Sequence, residues 1–205
     1  PNDSIVGTLA IYTLKSEGIE KLPSGDSRMT SREFADIVQS QIVNDIRAQH
    51  DSLWSRRQIW DRSYRESRTP SCPSMLLELL SHQNFADMKY GLDPAFRFTV
   101  GRAVYKGMLK YLSNRYGTPY TVQPLPVEEI SVTFGQPGAS GRSKAIIKWT
   151  ERLDPVEPTA VPSGYILYTR VDNGAFDTGR TIAKKLDKNG MPSAEVEIRS
   201  EERRV

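Results

Sequence analysis

Cysteine and histidine are scarce in this chain of 205 residues. It has one cysteine, Cys72, and two histidines, His50 and His82. A single cysteine cannot form a disulfide within the chain, and it excludes zinc modules that are built from several cysteines. Two histidines leave a metal site short of ligands unless carboxylates contribute, and a Ser–His–Asp triad has only these two candidate bases.

Long apolar runs and targeting signals are absent as well. No hydrophobic run approaches the roughly 20 residues that a helix needs to cross a bilayer. The first residues, 1–4 (PNDS), carry neither the basic nor the apolar region of a signal peptide. The sequence starts at Pro1 without an initiator methionine, so we expect it to be part of a longer protein.

The composition is that of a globular chain with two parts. Its hydrophobic content of 38% is sufficient for a core. The net charge of +3 falls entirely within residues 1–126. Residues 120–126 include Pro124 and Pro126 and have no helical periodicity, which is typical of a linker. We predict an α/β domain over residues 1–123 and an all-β domain over residues 124–205.

The first part alternates strand and helix patterns. β-Branched and apolar residues at 5–14 and an apolar run at 75–80 predict two strands. Apolar spacing predicts a helix over residues 31–47, and Asp93 with Pro94 opens another. Strands separated by helices predict a βαβ-type, largely parallel sheet that is flanked by helices. Two strands are few for a whole domain, so we expect only part of one.

The second part shows only strand patterns. Alternating or β-branched runs cover residues 130–134, 145–149, 164–171 and 194–199. The sequence DNG at residues 172–174 is typical of a tight turn. This pattern predicts an immunoglobulin- or fibronectin-like β-sandwich. Four or five strands are visible where about seven are expected, so we expect an incomplete one.

One acidic residue interrupts an apolar run. Glu78 lies within the sequence MLLELL at residues 75–80, which predicts a buried strand. Burial disfavours the ionised form of a carboxylic acid, and acids tuned in this way act as general acids or bases near neutral pH. Glu78 is therefore a candidate catalytic residue. The alternative is a structural acid that is paired with an arginine from the preceding stretch.

Arginine and aromatic residues are concentrated between residues 54 and 68. Nucleic-acid sites combine these residue types, but acidic residues dilute the stretch and the net charge is only +3. We therefore predict no nucleic-acid binding and expect a solvated face or the rim of an anionic-substrate site. The residues are Trp54, Arg56, Arg57, Trp60, Arg62, Tyr64, Arg65 and Arg68.

The histidines and the cysteine lie in no strong motif. His82 follows Glu78 by four residues, but a strand-to-loop path does not align such a pair as a helix does. We expect His82 to be a packed or hydrogen-bonded loop residue and His50 to lie at the C-terminal end of the first helix. Cys72 lies between prolines and is expected to be a spectator thiol.

Residues 68–84 (RTPSCPSMLLELLSHQN), followed by LDPAF at 92–96, resemble the C-terminal third of the zinc-dependent N-acetylmuramoyl-L-alanine amidases. That family reads approximately R-x-T-x-x-P-x-x-L-V-E-x-G-F-x-S-N before a D-P-x-[FY] helix start. The helix at 31–47 is similar to the family's S-x-x-L-A helix, and the resemblance covers roughly residues 1–117. The residues at matching spacings are Arg68, Pro73, Leu76, Glu78 and Asn84.

The sequence departs from the family pattern in three respects. Leu80 and Ser81 replace the family's glycine and phenylalanine, and Pro70 replaces its threonine. The family's zinc ligands, two histidines and a glutamate, all precede the matching segment. The resemblance therefore places them before Pro1, and no residue of this chain is assigned to the metal.

The second part resembles a fibronectin type III module. The resemblance covers residues 127–205 and depends on Trp149 and on the run GYILY at residues 164–168. An amidase followed by such a module is similar to secreted or periplasmic cell-wall enzymes and to relatives that are labelled xanthan lyases.

The resemblance implies a zinc-dependent hydrolase that cleaves the N-acetylmuramoyl-L-alanine amide bond of peptidoglycan. Glu78 would be the general base, and Arg68 and Asn84 would bind the substrate. Zinc is expected in the full-length domain, whereas this chain alone is expected to lack it and to be inactive. The expected partner is peptidoglycan or another cell-envelope glycan, with no membrane span and a periplasmic or extracellular location.

Two other functions stay open. A degenerate amidase fold would bind the cell wall or a polysaccharide without catalysis. A xanthan-lyase-like protein would process polysaccharide, with Trp54 and Trp60 as candidate glycan-binding residues. Packing against a helix is the more common fate of such tryptophans.

Overall fold

The computed structural model describes residues 6–15, 18, 20–135, 143–170, 173–183 and 185–198. The chain divides into two compact units, unit 1 (Pro1–Thr121) and unit 2 (Val122–Val205). This division lies close to the predicted domain boundary after residue 123. The chain combines helices with mixed and antiparallel sheets and therefore has the mixed α/β class that the sequence predicts. No helix in the described residues is long and apolar enough to cross a membrane.

Unit 1 has, in its described residues, four helices and a three-stranded sheet. The elements in chain order are β1 (Leu9–Tyr12), α1 (Met29–Gln49), β2 (Trp60–Asp61), α2 (Arg65–Arg68), β3 (Leu76–Glu78), α3 (Phe85–Leu92) and α4 (Pro94–Tyr116). β1 is shorter than the strand predicted over residues 5–14, of which residue 5 lies outside the described residues.

The sheet of unit 1 is mixed, with the strand order β2-β1-β3. β1 is parallel to β2 and antiparallel to β3, so the prediction of a largely parallel sheet is wrong. A parallel connection has to return to the starting end of the sheet, usually through a long helix. Here the connection after β2 stays near the far end of β1, where the hydroxyl groups of Thr13 and Ser67 lie 2.7 Å apart. Because the chain enters β3 from that end, β3 runs in the opposite direction.

The two long helices supply most of the core of unit 1. Helix α4 begins as predicted, since the Asp93 carboxylate accepts a hydrogen bond from Ala95 N–H at 2.8 Å and Pro94 occupies the first turn. It ends at Gly117, whose φ of 63° is a left-handed conformation that favours glycine. Helix α1 packs against α4 around a buried apolar cluster. The cluster contains Val38, Ile42, Val43, Ile46, Trp54, Phe96, Val100 and Ala103.

Unit 2 consists of strands in its described residues. They are β4 (Glu128–Phe134), β5 (Ser143–Thr150), β6 (Gly164–Leu167), β7 (Arg180–Ala183), β8 (Lys185–Leu186) and β9 (Pro192–Ile198). They form an antiparallel sheet in the order β4-β5-β9-β8 and a second sheet, β6-β7. The sequence predicts four of these strands and misses β7 and β8, which are short. Residues 171, 172 and 199 of the predicted strands and turn lie outside the described residues.

The two sheets of unit 2 pack face to face. Leu167 of β6 contacts a buried pair formed by Ala145 and Val196 in the larger sheet. Trp149 is buried and packs edge-on against Tyr165, with ring centroids 4.6 Å apart. A groove of about 680 Å³ lies between the sheets, and the apolar side chains of β4 are exposed. The described strands therefore enclose only a small apolar interior.

Candidate functional site

Glu78 is the last residue of β3, and its side chain is exposed to solvent. In the described part of unit 1, β3 pairs with β1 alone, so it is an edge strand and its leucines are only half-buried. The expectation of a buried acid is therefore wrong. No hydrogen bond or ion pair with another described residue engages the Glu78 carboxylate, which is open to an incoming ligand.

The register of the sheet determines which face carries Glu78. Glu78 lies opposite Leu9, and Leu76 lies opposite Ile11. Side chains of paired residues point to the same face of a sheet, and successive residues along a strand alternate. Leu77 points the other way and packs against the core between α1 and α4. Glu78 therefore lies on the sheet face that is turned away from this core.

Trp60 lies on the same face as Glu78. It pairs with Ile11 across the parallel strands β1 and β2. Arg62 lies directly after β2, and its N–H still donates to the Tyr12 carbonyl of β1. Two strand spacings across the sheet and two residues along it separate Trp60 from Glu78, which is about 12 Å between their backbones. The fold thus brings a carboxylate and an aromatic, cationic group to one face.

Two arginines lie over the Trp60 ring. The guanidinium carbon of Arg57 lies 5.1 Å from the ring centroid, and that of Arg62 lies 5.7 Å from it. Cations at this distance are attracted to the π face of an aromatic ring. We name these three residues the arginine–tryptophan cluster. Trp60 is 36% exposed, whereas Trp54 is 3% exposed and belongs to the core, so only Trp60 is available to a ligand.

Hydrogen bonds fix the backbone of the arginine–tryptophan cluster. Arg57 N–H donates to the Thr8 carbonyl at 2.9 Å, and the Arg57 carbonyl accepts from Gln39 Nε2 of α1 at 2.9 Å. Arg62 N–H donates to the Tyr12 carbonyl at 2.9 Å. A backbone that is held in this way reduces the conformational entropy that a ligand would have to remove.

Arg68 lies near the opposite end of β1 from Glu78. Glu78 pairs with Leu9 at the start of β1, whereas Ser67, the neighbour of Arg68, contacts Thr13 just beyond its end. The two ends are about 13 Å apart in extended chain. The structure does not bring Arg68 and Glu78 together, and the substrate-binding role of Arg68 stays a prediction.

Asn84 caps α3, a helix that the sequence pattern does not predict. Asn84 is 3% exposed, and its side-chain oxygen accepts hydrogen bonds from Ala86 N–H at 2.9 Å and from Asp87 N–H at 3.3 Å. These are the donors that an N-cap residue satisfies. The cap explains an asparagine at this position without a ligand, and the substrate-binding role of Asn84 stays a prediction.

The histidines and the cysteine take part in no metal-binding group among the described residues. His50 ends α1, where its Nε2 lies 2.9 Å from the Thr99 hydroxyl. Cys72 is a free, exposed cysteine. His82 is exposed, so of the two predicted alternatives, packed or hydrogen-bonded, the packed one is wrong. No three His, Cys, Asp or Glu side chains come together in the described part of the chain. These donors therefore do not fit the zinc that the amidase resemblance implies.

The shared face of Glu78 and Trp60 is the feature that sequence reasoning missed. The sequence could have indicated that Trp60 and Arg62 lie together, because residues two apart share a face in an extended chain. The position of Glu78 on the same face depends on the pairing of β3 with β1, which no local sequence pattern indicates.

No protein-family model, curated protein or solved structure matches this chain. The family resemblances therefore depend on the residues that carry them, and the function has to be argued from the exposed Glu78 and the arginine–tryptophan cluster.

Proposed function

We propose that this chain is part of a peptidoglycan hydrolase that cleaves the N-acetylmuramoyl-L-alanine amide bond, with Glu78 as the general base. The observation that carries this proposal is the exposed Glu78 carboxylate on the same sheet face as the arginine–tryptophan cluster. A carboxylate can act as a general base toward a water that attacks the amide, and cations on the same sheet face can anchor an anionic substrate. The spacing of Arg68, Glu78 and Asn84, which resembles that of the amidases, supports the same function.

Glu78 acts first on water and then on the leaving group. Its carboxylate accepts a proton from the water that attacks the lactyl amide carbon. The carbon–nitrogen bond then breaks with its electron pair on nitrogen, and the same proton passes to the amine of L-alanine. The products are a carboxylic acid and a free amine. Proton transfer from a positioned group contributes about 10²–10⁴-fold to a rate.

The described residues provide no group of side chains that could bind zinc. We therefore assign to this chain the base and the substrate contacts, and we expect the chain by itself to be inactive. The proposed partner is peptidoglycan or another cell-envelope glycan, in the periplasm or outside the cell. Nucleic acid is not a proposed partner, since the net charge is only +3.

We also propose that unit 2 is a fibronectin type III-like module. Two packed antiparallel sheets support this, with β4, β5 and β9 adjacent in one and β6 and β7 in the other. The buried Trp149 on the second strand supports it as well. The role that we propose for unit 2 is that of a spacer or adhesion module.

A non-catalytic wall-binding protein is the second candidate. The arginine–tryptophan cluster favours it, because two cations on a fixed backbone can bind an anionic polymer without help from Glu78. A xanthan-lyase-like activity has less support. Sugars stack on open aromatic faces, and guanidinium groups already engage the Trp60 ring.

Product analysis tests the proposal, with the protein as its whole gene encodes it. Purified peptidoglycan is incubated with the protein in zinc-containing buffer, and the soluble products are identified by mass spectrometry. We expect peptides that begin with a new L-alanine amino group. Binding to the wall without such peptides would favour the non-catalytic candidate, and release of glycan fragments alone would indicate polysaccharide processing. Either result would overturn the amidase proposal.

A further inference from the structure

The arginine–tryptophan cluster holds two cations that have no acidic partner in the described part of the chain. Arg62 Nη1 donates to the backbone carbonyl of Asp61 at 2.9 Å, and no ion pair with a described residue includes Arg57 or Arg62. Their neighbour Arg56 differs, because its guanidinium group forms an ion pair with Asp36. No ion pair with a described acid therefore competes with an anion from solution for Arg57 and Arg62.

Asp61, the acidic residue next to Arg62, forms its hydrogen bonds with the loop after β1. Asp61 pairs with Tyr12 and has the opposite parity to Trp60. Its carboxylate oxygens accept hydrogen bonds from Leu14 N–H at 2.9 Å and from Lys15 N–H at 2.7 Å. These bonds hold the Asp61 carboxylate against the loop after β1, and it forms no ion pair with Arg57 or Arg62.

We infer that the arginine–tryptophan cluster binds a carboxylate of the peptide arm of the substrate. This inference rests on the proposed function, since it takes Glu78 as the position of the scissile amide. A guanidinium group binds a carboxylate through two parallel N–H donors, and stacking on an aromatic ring orients it. The backbones of Glu78 and Trp60 lie about 12 Å apart, and the buried Leu9 and Ile11 of β1 lie between them on this face.

The chemistry of the cluster favours a peptide carboxylate over a sugar ring. A neutral sugar stacks on an aromatic face, and the guanidinium carbons of Arg57 and Arg62, 5.1 Å and 5.7 Å from the Trp60 centroid, compete with it for the ring. The ring thus acts as a support that holds Arg57 and Arg62 in place. What remains for a ligand is the outer, hydrogen-bonding edge of each guanidinium group, which matches a carboxylate.

Tryptophan fluorescence gives this site a direct readout. The other two tryptophans, Trp54 and Trp149, are 3% and 4% exposed, so a ligand at the cluster changes mainly the emission of Trp60. The Glu78→Gln protein is titrated with a synthetic wall-stem tetrapeptide that has free carboxylates, and with the same peptide after every carboxylate has been converted to an amide. We expect saturable binding of the acidic peptide and affinity at least about tenfold lower for the amidated one, since each tenfold step is about 1.4 kcal/mol.

Arginine variants assign the binding to the cluster. Arg57→Gln and Arg62→Gln are each expected to weaken binding of the acidic peptide by about tenfold or more. Arg97→Gln, which changes an exposed arginine on α4, is the matched control and is expected to bind like the parent. Arg57→Lys and Arg62→Lys keep the charge but lose the paired donors, and intermediate affinities are expected. They also serve if a glutamine variant fails to fold.

Three results would overturn the inference: equal affinity for the acidic and amidated peptides, unchanged binding in both glutamine variants, or tighter binding of an oligoglucuronate than of the peptide. Amide cleavage tests the proposed function separately. Cleavage that depends on Glu78, together with unchanged peptide binding in the arginine variants, would contradict this inference and leave the proposed function intact. Peptide binding that depends on the arginines, in a protein that cleaves no amide, would contradict the proposed function and leave the binding site intact.

Discussion

The ammonium group of Lys106 lies 2.6 Å from the Asp45 carboxylate, and the two side chains are only 2% and 3% exposed. Lys106 belongs to α4 and Asp45 to α1, so a buried ion pair joins the two long helices of unit 1. Gln41 Nε2 donates to the second Asp45 oxygen at 2.9 Å. Removing two charges from water is costly, and their attraction offsets this cost only while both are present.

The buried pair predicts a large penalty when one partner is removed alone. Lys106→Met leaves the Asp45 carboxylate buried without its cation and is expected to lower the free energy of unfolding by about 3–5 kcal/mol. The double variant with Asp45→Leu should recover most of this loss, because no charge then stays buried. Denaturant unfolding of both variants measures the effect, and a double variant as unstable as the single one would contradict this explanation.

Gly107 determines how closely α4 approaches α1. A β-carbon at this position would lie 2.9 Å from the Val38 Cα, a backbone atom that cannot move unless the helix moves. We expect Gly107→Ala to lower the free energy of unfolding by about 1–3 kcal/mol. Gly101 lies on the same helix with no atom within 4 Å of such a carbon, so Gly101→Ala should stabilise by up to about 1 kcal/mol. Equal effects in the two variants would refute the close approach.

Two variants of Asn84 distinguish its structural role as a helix cap from the proposed role in substrate binding. Asn84→Ala removes the cap of α3 and is expected to cost about 1 kcal/mol of stability. Asn84→Ser keeps a capping oxygen and should restore most of the stability. If the serine variant is stable but loses affinity for wall fragments, Asn84 also contacts the substrate. Thermal melting and peptide titration of the two variants distinguish these cases.

Asp187 makes the stability of unit 2 dependent on pH. A hydrogen bond from Lys148 Nζ at 2.7 Å is the main cause that lowers the Asp187 pKa from 3.8 to about 2. Backbone N–H groups of Met191 and Asn189 contribute in the same direction. Because the Asp187 pKa is lower in the folded state, the ionised carboxylate stabilises the folded state at pH values above the unfolded pKa. This stabilisation is lost as the pH falls through the folded pKa.

The melting temperature of unit 2, followed in the whole chain, should therefore fall between about pH 4 and about pH 2. Asp187→Asn removes the ionisable group, and its profile should be flatter over this interval. A variant profile that runs parallel to that of the parent would show that Asp187 does not cause the dependence.

The parts of the fold that the sequence predicted are those with local causes. The start of α4 follows from Asp93 and Pro94, whose capping chemistry involves neighbouring residues only. Apolar spacing likewise predicted α1. The direction of β3 and the exposure of Glu78 depend on which strand pairs with which, and an apolar run does not carry that information.

The candidate site was predicted in part for the same reason. The interrupted apolar run predicts a buried Glu78 as a catalytic candidate, whereas the structure shows an exposed Glu78 whose carboxylate is open to a ligand. The amidase resemblance implies a substrate contact at Asn84, whereas the contacts of Asn84 in the structure include the cap of α3. The proximity of Glu78 to Trp60 arises only when β1 lies between their strands.

The rate at which new L-alanine amino groups appear from peptidoglycan tests the central claim most directly. It is measured with the protein as its whole gene encodes it, in zinc-containing buffer, beside the Glu78→Gln variant. Glu33→Gln, which changes an exposed glutamate of α1, is the matched control. We predict that Glu78→Gln lowers the rate by at least about 100-fold with an unchanged melting temperature, and that Glu33→Gln cleaves like the parent. Cleavage by Glu78→Gln at the parent rate would contradict the assignment of Glu78 as the general base.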